Sequence, residues 1–580
     1  MEIASDARAA DLPVWRSCAL ALGLAVALCF AGIGCHALWS PDEPTGAAVG
    51  RAMLESGDLI VPRLNGEPFL EKPPLYWWVQ VAAFRLFGVS DTTARIPSAL
   101  FGVLGLLTAW ALGRLWGTER QGLLAVCVLG TTLLFLCNVG RVIVDPALLF
   151  FVALAHLGFA LVAAPRSSRD ARGARWLIAV ALALAFLVKG VVAVGLGAGP
   201  PVIYLLLTRR RMAWQDLRLL VLPCLLSLGL LVVPWAVALQ HAGGWAALRE
   251  CLLSNTAGRF ASTAQTRRYG HSQPFYYYLE VGPPLLLPWI LALPAMLRAG
   301  AFRGGARGGE ARRLFLAAAG LGVLLLSAAA TKREIYLLPL LPAWSAAVAW
   351  WLARIAEQGP GDTWDRRTLK SLAGFAVLLP LLLGTAALAM AWSPRVLRGL
   401  ATLRGAVTPG RLAVYGLSAL ALAVLTAVFL SRGPRVGRLA AALVLVTLSL
   451  ETGLLALVDP AKRMTEMTSA VAMNFPGTGP IPVYLPVGSN ESVYGILEFE
   501  LGRRTLALKT PDELAAWTRV HPGAPVLFRM RQARRLPADV LRGLRFVYDE
   551  TGRKASPFGI AVAASGSPTG PDTAISKTQS

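Results

Sequence analysis

Apolar positions in this chain do not alternate with polar ones at a helical or strand period; they run on unbroken for about twenty residues at a time. About thirteen such runs are long enough to cross the roughly 30 Å of hydrocarbon in a bilayer. They lie near 16–38, 95–116, 121–137, 142–164, 173–188, 190–207, 216–240, 281–299, 312–330, 334–356, 370–392, 411–430 and 437–457. The stretch around Lys189-Gly190 is too long for one crossing and is divided there. The pattern predicts an α-helical polytopic membrane protein over residues 1–460. The first run lacks a small-residue cleavage site and reads as a retained helix rather than a signal peptide.

The polar residues between the runs are unevenly signed. Arginines cluster at Arg166, Arg169, Arg172 and Arg175, at Arg209 to Arg211, at Arg298 to Arg313, and at Arg432, Arg435 and Arg438. Basic loops mark the cytoplasmic face, so the N-terminus is expected inside. The loop 393–411, with four arginines, runs against that rule. Three segments then lie outside: 39–94, 241–280 and everything after about 458. Within the first, 74–87 is apolar, aromatic and too short to span. It reads as an interfacial helix with Tyr76, Trp77 and Trp78 at headgroup depth.

From about 481 the texture changes to strand-like runs, IPVYLPV, RTLALK, APVLFRM and LRFVYD, alternating with polar and helical stretches. A small C-terminal α/β domain over 461–565 is expected, followed by a disordered Ser/Thr/Gly/Pro-rich tail at 566–580.

Composition agrees. Of 580 residues, 55% are apolar and 15% charged, against about 25% charged in a soluble protein. The net charge of +23 would suit a nucleic-acid binder. Here it sits in short interhelical clusters, which excludes nucleic acid as a partner. The seven cysteines form no CxxC pair, and most lie inside apolar runs, so no disulfide or zinc framework is signalled.

Candidate chemistry concentrates in the outer segments. Asp42 and Glu43 open the first of them, bracketed by Pro41 and Pro44; such a pair can also be a solvated capping turn. Lys72, in Glu71-Lys72-Pro73-Pro74, stands where a lipid phosphate would pass, or simply snorkels. Asp145 ends a span, where an ionisable group is functional by default or pairs with Arg141 four residues earlier. Arg259, Lys332 and Arg333 would suit a phosphate or pyrophosphate headgroup. Glu71, His271 and an acidic residue could gather a divalent metal, although spacing alone does not show it.

Taken in order, these segments resemble a known family. Trp39-Ser40-Pro41-Asp42-Glu43-Pro44, Ser56-Gly57-Asp58, Asn65-Gly66 and Glu71-Lys72-Pro73-Pro74-Leu75-Tyr76-Trp77-Trp78 are similar to the first outer loop of bacterial aminoarabinose transferases that modify lipid A. More broadly they resemble the protein O-mannosyltransferase superfamily of GT-C fold. Arg95-Ile96-Pro97-Ser98, Asp145-Pro146, Lys189-Gly190, His271 to Tyr278 and Lys332 to Pro339 match further landmarks.

The resemblance implies an inverting glycosyltransferase of the inner (plasma) membrane. Its donor would be a polyprenyl-phosphate sugar and its acceptor lipid A or another envelope molecule. Asp42 would be the catalytic base, with Glu43 beside it and Asp145 as a second acid. Lys72, Arg259, Lys332, Arg333 and Tyr336 would hold the donor phosphate, and Glu71 and His271 a structural divalent ion, zinc or magnesium. One departure stands out: relatives continue the acidic pair as Asp-Glu-Pro-Arg-Tyr, whereas this chain has Asp42-Glu43-Pro44-Thr45-Gly46.

Two other classes share the spans. A transporter or flippase of lipid-linked sugars would need the basic headgroup contacts but not the acidic pair, and the matched internal repeats such proteins often carry are not visible. A membrane scaffold with an outer sensing domain would not concentrate Asp, Glu, Lys and His on one face. A soluble nucleotide-sugar site is excluded, because no cytoplasmic loop is long enough to fold one. The expected sidedness has a direct readout. Alkaline phosphatase fused after residue 486 should be active, and fused within 166–172 inactive; the reverse pattern would invert the topology.

Overall fold

The computed structural model describes residues 12–163, 167–208, 210–254, 272–299, 309–393, 407–431, 435–486, 492–550 and 557–564. Each of the thirteen expected spans meets helical structure. Among the described residues nine helices are long and apolar enough to cross a membrane, or eleven if each of two bent pairs counts as one span. The remaining two, Val14–Phe30 and Leu316–Ala328, are shorter apolar helices, so the count by length is nine to eleven rather than thirteen.

The early helices position the site. They are α1 (Val14–Phe30), α2 (Asp42–Ser56), α3 (Leu75–Phe87), α4 (Asp91–Trp116), α5 (Glu119–Gly130), α6 (Leu133–Val139), α7 (Asp145–Ala163) and α8 (Ser168–Lys189). Local chemistry sets several of their ends. The Ser90 hydroxyl caps α4 by accepting the Thr93 N–H at 3.1 Å. Gly57, at φ 70°, closes α2 in the left-handed conformation that glycine adopts freely. Gly190, at φ 64°, breaks the long apolar run after Lys189, where one crossing could not hold it all.

Two spans are bent rather than straight. Between α5 and α6 the axis turns by 69°, at Thr131 and Thr132, whose hydroxyls donate back to the carbonyls of Cys127 and Val128. Between Tyr277–Leu285 and Trp289–Arg298 it turns by 100°, across Pro283, Pro284 and Pro288, which cannot donate to a helix ladder.

The aromatic segment departs from its expectation. It does form a helix, α3, but Tyr76 and Trp77 are buried in the main core rather than set at headgroup depth. The Tyr76 hydroxyl lies 2.8 Å from Ser98 Oγ, which donates to the Ile143 carbonyl at 3.0 Å. Gln80 Nε2 donates to the Ala94 carbonyl at 3.0 Å. These bonds draw α3 inward against α4, and its exposed apolar residues are instead Leu86 and Phe87.

At the centre of this end lies a buried ion pair. Arg95 and Glu43 are both 0% exposed. Arg95 Nε donates to Glu43 Oε1 at 2.8 Å and Nη2 to Oε2 at 3.1 Å. The same guanidinium donates to the carbonyls of Ile33 at 3.0 Å, His36 at 2.8 Å and Ala37 at 2.7 Å. Glu43 in turn accepts the backbone N–H of Trp39 at 2.9 Å and of Val142 at 3.2 Å. Four chain segments therefore meet on two side chains: the exit of α1, the start of α2, α4 and the α6–α7 loop.

The C-terminal domain is a five-stranded sheet in the order β4-β3-β5-β7-β6. Its strands are β3 (Ile481–Tyr484), β4 (Thr505–Leu508), β5 (Val526–Arg529), β6 (Leu544–Asp549) and β7 (Phe558–Ala563), and β1 and β2 are the two-residue strands Arg63–Leu64 and Glu67–Pro68 of the first loop. Strand β3 pairs parallel with β4 and β5, while β7 runs antiparallel between β5 and β6. The four strand-like runs of the sequence become β3 to β6; β7 was not among them.

Removing one partner of a buried ion pair leaves the other charge unpaired, at a cost of about 3–5 kcal/mol. Arg95→Ala should lower thermal stability in detergent by that order, and far more than Arg51→Ala, whose Glu55 partner is exposed. Equal melting temperatures for the two variants would remove the pair from its central role.

Candidate active site

Asp42 is the first residue of α2, directly before Glu43. Successive residues on a helix point about 100° apart, and here that separates their fates. Glu43 faces inward to Arg95, whereas Asp42 remains about a quarter exposed and meets Arg333. Arg333 Nη2 donates to Oδ2 at 2.8 Å and Nη1 to Oδ1 at 3.3 Å, a two-pronged grip. Burial works against the charged guanidinium, but the Asp42 carboxylate more than offsets it, so the pKa of Arg333 is raised.

A second acid–base pair stands beside the first. Asp145 opens α7 and Lys189 closes α8; Lys189 Nζ lies 2.5 Å from Asp145 Oδ1, with both side chains nearly buried. Asp145 is therefore paired with Lys189, not with Arg141 on its own chain segment. Lys189 Nζ also sits 4.5 Å from the ring centre of Tyr336. The charges of Asp145 and Asp42 both act on Arg333. Asp42, Arg333, Asp145, Lys189 and Tyr336 thus form one cluster, drawn from α2, α7, α8 and the segment 332–336.

That segment is braced from outside. Lys332 is buried, and its ammonium donates to the carbonyls of Gln273 at 2.9 Å and Ala329 at 2.6 Å. Ser272 and Thr331 form an isolated antiparallel bridge, and Tyr278 donates to the Arg333 carbonyl at 3.3 Å. Lys332 thereby ties two loops together, and its charge faces their carbonyls. Arg333 likewise meets a carboxylate before it could meet a phosphate. Glu43, the other acid of the pair, has its oxygens sealed from solvent and engaged by Arg95, Trp39 and Val142.

Lys72 lies just before α3, its ammonium 3.5 Å from Glu71 Oε2. Arg259 and His271 lie outside the described residues. Among the described residues no three His, Cys, Asp or Glu side chains gather in a way that could hold a metal ion. The partners that sequence reasoning missed are Lys189 for Asp145 and Arg95 for Glu43. The signal for Lys189 was present, since an ionisable residue within an apolar run is itself a functional pointer.

The C-terminal domain rests on the turn that carries Asp42. A Cβ on Gly495, in the helix Ser492–Leu501, would fall 2.5 Å from the Pro44 carbonyl carbon. Only glycine permits this approach. Ser40 Oγ and Ser492 Oγ are 2.8 Å apart, and Arg51 bonds the Phe499 carbonyl. At the tip of the β1–β2 hairpin, Asn65 (φ 55°) and Gly66 (φ 83°) take the left-handed conformations such a turn requires. Asn65 Nδ2 donates to the Thr505 carbonyl at 3.0 Å, and its Oδ1 accepts the Thr505 N–H at 2.6 Å. The hairpin tip thus bonds to an edge strand of the C-terminal sheet.

Comparison with known proteins bears out the resemblance of the first-loop motifs. Residues 27–242 match the family model described as dolichyl-phosphate-mannose-protein mannosyltransferase. An undecaprenyl phosphate-alpha-4-amino-4-deoxy-L-arabinose arabinosyl transferase from Edwardsiella ictaluri is 32% identical over 328 residues, 55% of this chain and 56% of that protein. Its namesake from Pseudomonas aeruginosa is 32% identical over 269 residues, 45% of this chain and 47% of that protein. The chain thus spans about half the length of the curated relatives it matches.

In structure, the crystal form of ArnT from Cupriavidus metallidurans bound to undecaprenyl phosphate superposes with a TM-score of 0.72 at 21% identity, over 96% of this chain and all of that one. The apo form of that protein gives 0.71 over 94% and 97%. The fold is therefore ArnT-like and of GT-C type, a helical multi-pass membrane architecture with a small C-terminal sheet domain.

The Asp145–Lys189 pair can be examined by removing one charge or both. Lys189→Met alone should cost about 3–5 kcal/mol by stranding a nearly buried carboxylate. Adding Asp145→Asn should restore much of that loss, read as melting temperature in detergent. Additive losses would show that the two side chains do not interact.

Proposed function

We propose that the chain is an integral membrane glycosyltransferase that moves a sugar from a polyprenyl-phosphate donor to an acceptor outside the cytoplasm. The observation that carries this reading is the Asp42 carboxylate. It is accessible, fixed on the first turn of a helix, and oriented by Arg333 beside the Asp145–Lys189 pair.

Each group then has a task. Asp42 takes the proton from the acceptor's oxygen as that oxygen attacks the anomeric carbon. The bond from carbon to the phosphate oxygen breaks, the configuration inverts, and the polyprenyl phosphate leaves as an anion. Arg333 holds the carboxylate in the orientation for attack, which saves the entropy of finding it. Lys189 and Asp145 set the field around the reacting centre, and Lys72 and Arg259 stabilise the leaving phosphate.

The narrower reading is transfer of aminoarabinose to a phosphate of lipid A. The relatives' names and the undecaprenyl phosphate in the ArnT crystal support it. Thr45-Gly46, in place of the Arg-Tyr of relatives, leaves room for another acceptor or sugar. A flippase would have no need of an oriented, accessible carboxylate at the lipid-phosphate level. In this reading the N-terminus is cytoplasmic, the C-terminal domain periplasmic, and the protein resides in the inner membrane.

General-base removal typically lowers rate by about 10²–10⁴-fold. Asp42→Asn, assayed with an undecaprenyl-phosphate sugar, should lose transfer by that order while keeping the parent's melting temperature. Full transfer by this variant would sink the role of Asp42. Mass spectrometry of lipid A after deletion of the gene reads the acceptor: a lost pentosamine on a lipid A phosphate supports the narrow reading, and a hexose lost elsewhere overturns it.

A further inference from the structure

Among the described residues at this end of the bundle, Arg141 and Lys462 have no anionic or carbonyl partner. Arg141 follows α6, in the loop that gives its Val142 N–H to Glu43. Its side chain makes no hydrogen bond or ion pair among the described residues, and its Nε is sealed from solvent without a partner. Lys462 ends the helix Val436–Lys462 and also lacks an ion pair among the described residues. Its ammonium lies 4.5 Å from the ring centre of Trp39. That ring is held in place, because Asp459 Oδ1 accepts the Trp39 indole N–H at 3.0 Å and the Ala37 N–H at 2.8 Å.

The two cations belong to one neighbourhood. Lys462 lies over the ring of Trp39, and the backbone N–H groups of Trp39 and of Val142, next to Arg141, both bond the Glu43 carboxylate. Arg141 lies just past the bent apolar pair α5–α6, and Lys462 ends an apolar helix, so both stand at the ends of segments that reach the membrane boundary. A half-buried guanidinium with an unpaired N–H is costly at such a boundary unless an anion meets it. A planar guanidinium, a point-charge ammonium and an indole at the membrane boundary together suit a phosphate ester carried on a lipid.

We propose that Arg141 and Lys462, the latter over the ring of Trp39, form a second lipid-phosphate site, separate from Lys72 and from the cluster around Asp42. The placement bears on function. The loop of Arg141 and the segment of Trp39 both bond to Glu43, next to Asp42. A lipid phosphate bound there would be held against the two segments that fix the catalytic turn. The proposal itself concerns binding and does not depend on the transferase reading.

One rival needs no ligand. Glu451 has a buried carboxylate oxygen without a partner. A change of rotamer could pair it with Arg141. The full chain in detergent separates the two cases. Binding of dioctanoyl phosphatidic acid, dioctanoyl phosphatidylcholine and inorganic phosphate is read by native mass spectrometry, with melting temperature measured beside it.

Phosphatidic acid should bind saturably to the parent. Arg141→Gln with Lys462→Gln should weaken it about twenty-fivefold, at roughly fivefold per cation, with Asp42→Asn binding as the parent does. Phosphatidylcholine should not compete, and inorganic phosphate should bind far more weakly than the lipid. Inorganic phosphate binding as tightly as phosphatidic acid would overturn the lipid source. Unchanged phosphatidic acid binding in the double variant would overturn the site. So would equal falls in melting temperature for Arg141→Gln and Glu451→Gln with binding intact, since these mark an internal ion pair. If the double variant does not fold, Lys462→Gln alone, which removes an exposed charge, should still weaken binding severalfold, and no change overturns the proposal.

Discussion

Everything at the functional end of this bundle hangs on one buried salt bridge, Arg95 to Glu43. Two fully desolvated charges are tolerated only when each is saturated, and here each is. The guanidinium gives hydrogens to Glu43 and to three carbonyls left open where α1 ends. The carboxylate takes N–H groups from the two segments that no helix would otherwise satisfy. Because those bonds are directional, the first turn of α2 has one orientation, and Asp42 inherits it. An acidic neighbour in sequence thus serves as the anchor of the acidic group that reaches solvent.

Above the anchor the working charges come in pairs taken from distant parts of the chain. Asp42 meets Arg333, and Asp145 meets Lys189. Each acid belongs to the start of a helix and each base to the end of a helix or to a loop. Tyr336 and Lys189 bring the pairs together, and Lys332 pins the segment carrying Arg333 to the neighbouring loop. Held on opposed elements in this way, the cluster is preorganised, and a substrate would find its charges already placed.

The C-terminal domain is docked on the first outer segment rather than hung as a free appendage. Gly495 lets a helix press on the Pro44-Thr45 peptide, and Asn65 bonds the edge of the sheet in both directions. After Pro44, Gly46 leaves the backbone open to close contact, since a Cβ there would lie 3.1 Å from Val142.

By itself the sequence determined the solvent and the helical character of the apolar runs. Runs of apolar residues predict helices because lipid leaves no other way to satisfy a backbone, and Lys189-Gly190 marked a real break. The first-loop motif put Asp42 on the candidate list, and the resemblance it carried held in fold. What only tertiary structure decided was which charges meet. Asp42 and Glu43 are adjacent and chemically alike, so nothing local distinguishes the exposed one from the buried one; Arg95, fifty-two residues away, makes that choice. Asp145 had Arg141 at helical spacing and took Lys189 instead, because the end of α8 lies against the start of α7. Tyr76 and Trp77 looked interfacial and are buried in the core, where the Tyr76 hydroxyl meets Ser98 of α4. Pairing across long separations depends on packing, and packing is a property of the folded chain.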